Sequence, residues 1–213
     1  TMDSIKRELG KIQEVSQGKY LGLPMIVTRT KEQIFRFIKD KIRKKMDHWK
    51  TKLLSTAGKE TLMKAVTMAT PTYAMSCYKL PRKLCKEISS MMARCWWGQK
   101  EMKDKKTWLA WDKITRSKAG GWMGFKDIQM FDKALLAKQV LRIMTQPNLL
   151  VSKVLKEKYF PGGSVLEGKV PRNASWIWQS LMCAREGIKE GCQKKEGNGK
   201  GPNISDAKWI NNG

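Results

Sequence analysis

The sequence predicts a mainly α protein: a helical bundle with a short N-terminal β-hairpin before it and a second, small helical subdomain after it. Three observations predict this. After Thr30 the apolar residues recur at spacings of three and four, the period of one helix face. Before it, GKYLGLPMIV (18–27) is a short apolar run punctuated by Gly18, Gly22 and Pro24, which suits a hairpin better than a helix. Between two helix-rich stretches, residues 99–106 are lysine-rich and unpatterned, the texture of a loop or linker. The divisions that follow are a hairpin segment at 1–29, a helical bundle at 30–99 and a helical subdomain at 100–213 with an irregular Gly- and Asn-rich tail.

A first helix is expected near Asp3, ahead of the hairpin. Thr30-Lys31-Glu32-Gln33 then has the form of a capping box. Ile34, Ile38, Ile42, Met46, Trp49 and Leu53 make one apolar stripe, on a rod roughly 30 Å long. Ser55 or Thr56 can cap the next helix, which presents Leu62, Met63, Val66 and Ala69 before Pro71; Tyr73 to Leu80 is ambiguous. Pro81 suits the first turn of a helix with Leu84, Ile88, Met91, Met92, Cys95 and Trp96 inward and Gly98 closing it. Trp108, Trp111 and Ile114 form a short three-spaced pattern broken by Gly120 and Gly121. A helix is expected from Asp127 to Met144, a short one from Leu149 to Tyr159, and a last one from Ser175 to Glu186, with at most a strand at 204–210. No internal repeat is visible.

Among 213 residues there are 43 Lys and Arg against 19 Asp and Glu, a formal net charge of +24. So basic a chain attracts polyanions, nucleic acid first and an anionic membrane surface second. No apolar run reaches the roughly 18 residues of a transmembrane helix, and the charged start TMDSIKRELGK is no secretory signal. The chain is expected to be intracellular, nuclear or cytoplasmic, and not secreted. Its start at Thr1 suggests a piece of a longer reading frame or an expression scar. Five cysteines without a CxxC spacing, and one histidine, His48, predict reduced thiols and no zinc site.

Catalytic patterns are missing. Metal-dependent polymerases and nucleases need converging carboxylates, whereas Asp40, Asp47, Asp104, Asp112, Asp127, Asp132 and Asp206 are scattered, mostly beside lysines, as in solvated surface pairs. His48 has no nucleophile motif around it. Gly58-Lys59-Glu60 lacks the upstream glycine of a phosphate-cradling loop, and Gly120, Gly121 and Gly124 do not make a dinucleotide fingerprint.

What remains is charge with aromatics. From Arg29 to Lys64 twelve basic residues face four acids, a net of +8, which would give salt-sensitive, sequence-independent binding to phosphates. The contacts are expected from Arg36, Lys39, Arg43, Lys44, Lys50 and Lys52. In CWWGQKEMKDKKTWLAW (95–111) four indoles sit among four lysines. Trp96 lies on an apolar stripe and reads as core. Trp97, Trp108 and Trp111 either cover a joint between subdomains, the favoured reading, or stack on bases.

Several of these words, in order, resemble the reverse transcriptases of plant non-LTR retrotransposons of the long interspersed element type. They are GKYLGLP (18–24), WKTKLLSTAGKETLMKAVTMATPTYAMSCYKLP (49–81), CWWG (95–98), Trp108 with Trp111, GGWMGFKDIQMFDKALLAKQ (120–139), VLKEKYFP (154–161), SWIWQSL (175–181), GNGK (197–200) and KWI (208–210). The resemblance covers nearly the whole chain.

It implies a primer grip at Tyr20, Leu21 and Gly22, a helical thumb after it, and a connection from about Lys100. The partners implied are an RNA/DNA template-primer duplex and the upstream palm and fingers of the parent polymerase, with no membrane. In that family the metal-binding aspartates precede the primer grip and would fall before Thr1. The expectation is therefore no cofactor in this chain, magnesium belonging to the palm, and an RNA-directed DNA polymerase part that is inactive alone. The alternative is a non-catalytic basic helical interaction protein derived from a degraded retroelement. Three departures stand out: an extra residue in GGWMGF (120–125), Asp132 where asparagine is common, and no tryptophan before GNG.

Overall fold

The chain is represented by a computed structural model that describes residues 19–20, 23–24, 31–50, 54–98 and 109–191; for 19–20, 23–24, 31–34, 50 and 190 the description is of backbone alone. These residues are mainly helical. Most of the stretch expected to form the hairpin lies outside them. All that is described there is a two-residue antiparallel pairing of Lys19–Tyr20 with Leu23–Pro24. The expected helix near Asp3 and the strand at 204–210 also lie outside the described residues.

Helix α1, Lys31–Lys50, buries Phe35, Ile38, Ile42 and Met46 and half-buries Trp49. The stripe is thus the expected one with Phe35 added, while Ile34 and Leu53 fall outside the described side chains. α2, Thr56–Leu62, starts where Ser55 Oγ accepts from the Gly58 N–H at 3.2 Å, a cap that satisfies one free amide of the first turn. It runs on as a π turn, Met63–Thr67. Thr61, Thr70, Thr72 and Ser76 each donate to the carbonyl four residues back, side-chain bonds that bend helices. Pro71 then leads into one short turn, α3 (Thr72–Met75), which settles the ambiguous stretch.

α4, Arg82–Trp96, follows Pro81 and ends at Gly98, whose φ of 68° suits glycine. Its inward set is Leu84, Cys85, Ile88, Met91 and Met92; Cys95 and Trp96, expected inside, are half-buried against the same core. α5 (Trp111–Ile114) is a single turn. α6, Ile128–Thr145, is capped by Asp127, whose Oδ1 accepts from the Met130 N–H at 2.8 Å. α7 is Leu150–Tyr159. The single helix expected at 175–186 is two helices, α8 (Trp176–Met182) and α9 (Arg185–Gly191), with a turn at Cys183–Ala184. The turn lets Ala184 and Ile188 join the core that Trp178, Leu181 and Met182 already enter.

Two apolar cores result. The first gathers α1, the π turn, α3 and α4, closed by Ile114, Phe125 and Ile128. The second is built on Trp178, stacked against Tyr159 at 4.5 Å and Phe160 at 5.7 Å, with its indole N–H donating to the Lys169 carbonyl at 2.9 Å. The Tyr159 hydroxyl accepts from the Ser175 N–H at 3.0 Å, so the capping residue of α8 is tied to the end of α7. α6 belongs to both cores. Ile128, Phe131 and Leu135 face the first, and Leu136, Val140 and Ile143 face the second. Trp176 adds a second tie across them, 5.3 Å from Phe35 and 4.6 Å from Tyr78 between ring centres.

One polar side chain of α6 is buried. Asp132 is 3% exposed; its Oδ2 accepts from the Leu80 N–H at 3.1 Å, and Oδ1 has no partner. Burial pushes its carboxyl up to about 7, against the opposing pull of the Leu80 N–H and the Lys79 charge. An acid whose folded pKa is raised binds its proton more tightly when folded. Its stability contribution is therefore complete below the unfolded value near 4 and is lost as pH climbs to about 7. Asp132→Asn keeps an acceptor for Leu80 and removes the ionisation. The variant should gain stability relative to the parent between pH 4 and 7, by about 4 kcal/mol at most, and the gain should level off above that range. Urea unfolding of both proteins across that range checks this, and a pH-independent difference would contradict it.

Candidate nucleic-acid interface

α1 rises about 30 Å along its axis and lies with Phe35, Ile38, Ile42 and Met46 inward. That burial turns its remaining faces to solvent, where Arg36, Lys41, Arg43, Lys44 and Lys45 are exposed beside the acids Asp40 and Asp47. Arg36, Lys39 and Arg43 follow one another at spacings of three and four, so they share a flank of the helix. Lys44 stands on the face opposite the core, and the backbone of Lys50 continues the flank. The side chain of Lys50 is outside the described residues, as are Lys52, Leu21 and Gly22, while Tyr20 is described by backbone alone.

The flank is not uniformly free. Lys39 Nζ lies 2.7 Å from Glu87 Oε2 on α4, and both side chains are about a third exposed. Hydrogen bonding to Lys39 holds the Glu87 carboxyl below the usual carboxylate range. Arg43 has a long contact of 4.0 Å to Asp47 one turn on, with both side chains largely in solvent. Lys45 Nζ reaches Thr70 Oγ1 at 3.3 Å. Lys39 is therefore first a clamp between α1 and α4, whereas Arg36, Arg43 and Lys44 point outward. The Lys39–Glu87 pairing joins residues 48 apart and has no local sequence signal. Lys64 plays a similar role, bound to Glu60 Oε1 at 2.6 Å and to the Met123 carbonyl at 2.6 Å, and this bond to Lys64 lowers the Glu60 pKa.

The indoles go to the joint. Trp96 meets Phe125 edge-on at 5.4 Å, Trp111 lies 5.3 Å from the same ring, and Trp97 packs half-buried against that core. Trp108 lies outside the described residues. Among the described residues no three His, Cys, Asp or Glu side chains converge on a point where a metal ion could bind. Asp127 is used as a cap and Asp132 is buried alone. No described helix is long and apolar enough to cross a membrane.

The fold and this face define a helical protein with two cores sharing one helix and a basic outer rod. No protein-family model matches the chain. It is 41% identical over 144 residues to the Arabidopsis thaliana "Uncharacterized mitochondrial protein AtMg00310", an alignment that covers 67% of this chain and 94% of that one. The chain belongs to the family of that protein. It is also 26% identical over 193 residues to the A. thaliana "Putative ribonuclease H protein At1g65750", which covers 88% of this chain but 31% of the relative. The chain thus spans about a third of the length of this second relative.

The joint generates a stability prediction. Phe125 is 1% exposed and touches two indoles, so Phe125→Ala should cost about 3–5 kcal/mol. Lys39→Ala, which breaks a partly exposed ion pair, should cost no more than about 1 kcal/mol. Chemical denaturation of the two variants ranks them, and a larger loss for Lys39→Ala would refute the assignment of the joint.

Proposed function

We propose that this chain is the thumb and connection portion of a retroelement RNA-directed DNA polymerase, a nucleic-acid-binding part that holds template-primer duplex and has no catalytic residues of its own. The observation that carries the reading is the exposed side of α1, where Arg36, Lys41, Arg43, Lys44 and Lys45 stand in solvent along a rod about 30 Å long. A helix face so biased toward one sign is suited to a phosphate backbone, which it meets through counterion release. The sequence words shared with plant retroelement polymerases support the same reading, as does the similarity to a relative whose name includes ribonuclease H. Tyr20, Leu21 and Gly22 would approach the primer end in this arrangement, and magnesium would be bound by the upstream palm.

A second reading, a non-catalytic interaction protein descended from such an element, is favoured by one feature. Leu150, Val151 and Val154 are 79%, 51% and 55% exposed on the outer face of α7, an apolar surface that a duplex-binding part does not need.

Binding to an RNA–DNA hybrid measured against salt tests the first reading. A rod of this length meets roughly four to six phosphates, so log affinity should fall with log salt at a slope of about −4 to −5. Arg36→Glu with Lys44→Glu removes two outward charges without touching the Lys39–Glu87 clamp, and should make the slope shallower by about 2. An unchanged slope and affinity would move the interaction-protein reading ahead.

A further inference from the structure

Between α5 and α6 the chain makes a closed loop. The Gly124 N–H donates to the Arg116 carbonyl at 3.1 Å and the Phe125 N–H to the Ile114 carbonyl at 3.4 Å. Ile114 and Phe125, at the two ends of this stem, are both core residues. Ser117 Oγ accepts from the Ala119 N–H at 3.2 Å, and Gly121 and Gly124 turn the chain with φ of 79° and 65°. The loop is therefore anchored at its base and braced inside. From Lys113 to Lys126 it has four basic residues, Lys113, Arg116, Lys118 and Lys126, and no acid. All four are exposed, and Asp127, just beyond, is engaged as the cap of α6. Lys118 lies 3.7 Å from Glu60 yet keeps a side chain 71% exposed.

One aromatic belongs to this tip rather than to the joint. Trp122 is half-buried, and the Arg116 guanidinium lies over its ring at 5.7 Å. A guanidinium over an indole extends a flat platform, and unpaired bases stack on both kinds of surface. Duplex hides its base faces, and the tip is a short protrusion rather than a rod. We infer that the Lys113–Lys126 loop is a second contact site, one that takes unpaired nucleic acid, with a base stacked on the Arg116–Trp122 platform and neighbouring phosphates held by Lys113, Lys118 and Lys126. This rests on the nucleic-acid-binding reading above but assigns a different ligand form to a different element.

The test uses the full chain with fluorescently labelled oligo(U), oligo(dT) and an RNA–DNA hybrid duplex of equal length, followed by anisotropy. Trp122→Leu should weaken binding to both single strands by about 5- to 10-fold and leave the duplex affinity unchanged, while Trp122→Phe, which keeps a ring, should stay within about 2-fold of the parent. Lys113→Gln with Lys118→Gln should make the single-strand salt slope shallower by about 1.4. These last two variants carry the test if Trp122→Leu does not fold, as judged by its urea midpoint. Single-strand affinity indifferent to both the ring and the charges would overturn the site, and so would equal losses on single strand and duplex. Loss of duplex binding on reversing Arg36 and Lys44, with the loop variants silent, would sink this inference alone. The opposite pattern would sink the α1 reading and leave the loop standing.

Discussion

The architecture depends on α6 being apolar around more than one face. A helix with a single apolar stripe can close one core; α6 has Ile128, Phe131 and Leu135 for one and Leu136, Val140 and Ile143 for the other. Neither core is complete without it, so the two must form around the same wall. Trp176 reinforces this from the far end of the sequence, since the helix that places Trp178 at the heart of the second core also places Trp176 between Phe35 and Tyr78 of the first. The cost of sharing a wall is a buried polar position. Asp132 sits where α6 passes the turn before α4, holds the Leu80 N–H, and leaves one carboxylate oxygen without a partner. An amide at this place would make the same hydrogen bond without an ionisation to suppress.

Much of the helical framework is legible in the sequence because its signals are local. The stripes of α1, α4 and α6 repeat at the helical period, and Ser55, Asp127 and Ser175 stand where their oxygens accept the first free amides. What is not legible depends on distant partners. Phe35 breaks the four-residue rhythm of its neighbours, yet it is fully buried because Tyr78 and Trp176 come to it from elsewhere in the chain. The turn at Cys183–Ala184 carries no glycine or proline to announce it; the chain bends there because Ala184 and Ile188 have a core to reach. Composition can mark where a linker begins, but it cannot say which core a later segment joins, and Ile114 and Phe125 join the first.

The candidate interface divides in the same way. That α1 would be basic on its outer faces follows from its period alone. Which cations remain available does not, because Glu87 can select Lys39 only once α4 lies beside α1. Trp122 was invisible for the opposite reason: within GGWMGF it reads as one extra residue in a glycine-rich turn, and only the closing of the loop places its ring beneath Arg116.

Charge balance limits how far such clamps can go. With 43 basic residues and 19 acids, one-to-one pairing leaves an excess of 24 positive charges wherever the acids are spent. Two acids among the described residues are spent at a helix contact and a loop anchor: Glu87 between α1 and α4, and Glu60 between Lys64 and the Lys118 loop. Acids placed there stabilise packing where cations would otherwise crowd, and by the same act leave the outer rod, where Asp40 and Asp47 face five exposed cations, and the loop tip with an excess of positive charge. Those two surfaces repel themselves in the free protein, and a polyanion laid on either relieves that repulsion as it binds. The distribution of a few carboxylates is thus what separates the lysines that hold the fold from those that remain in solvent.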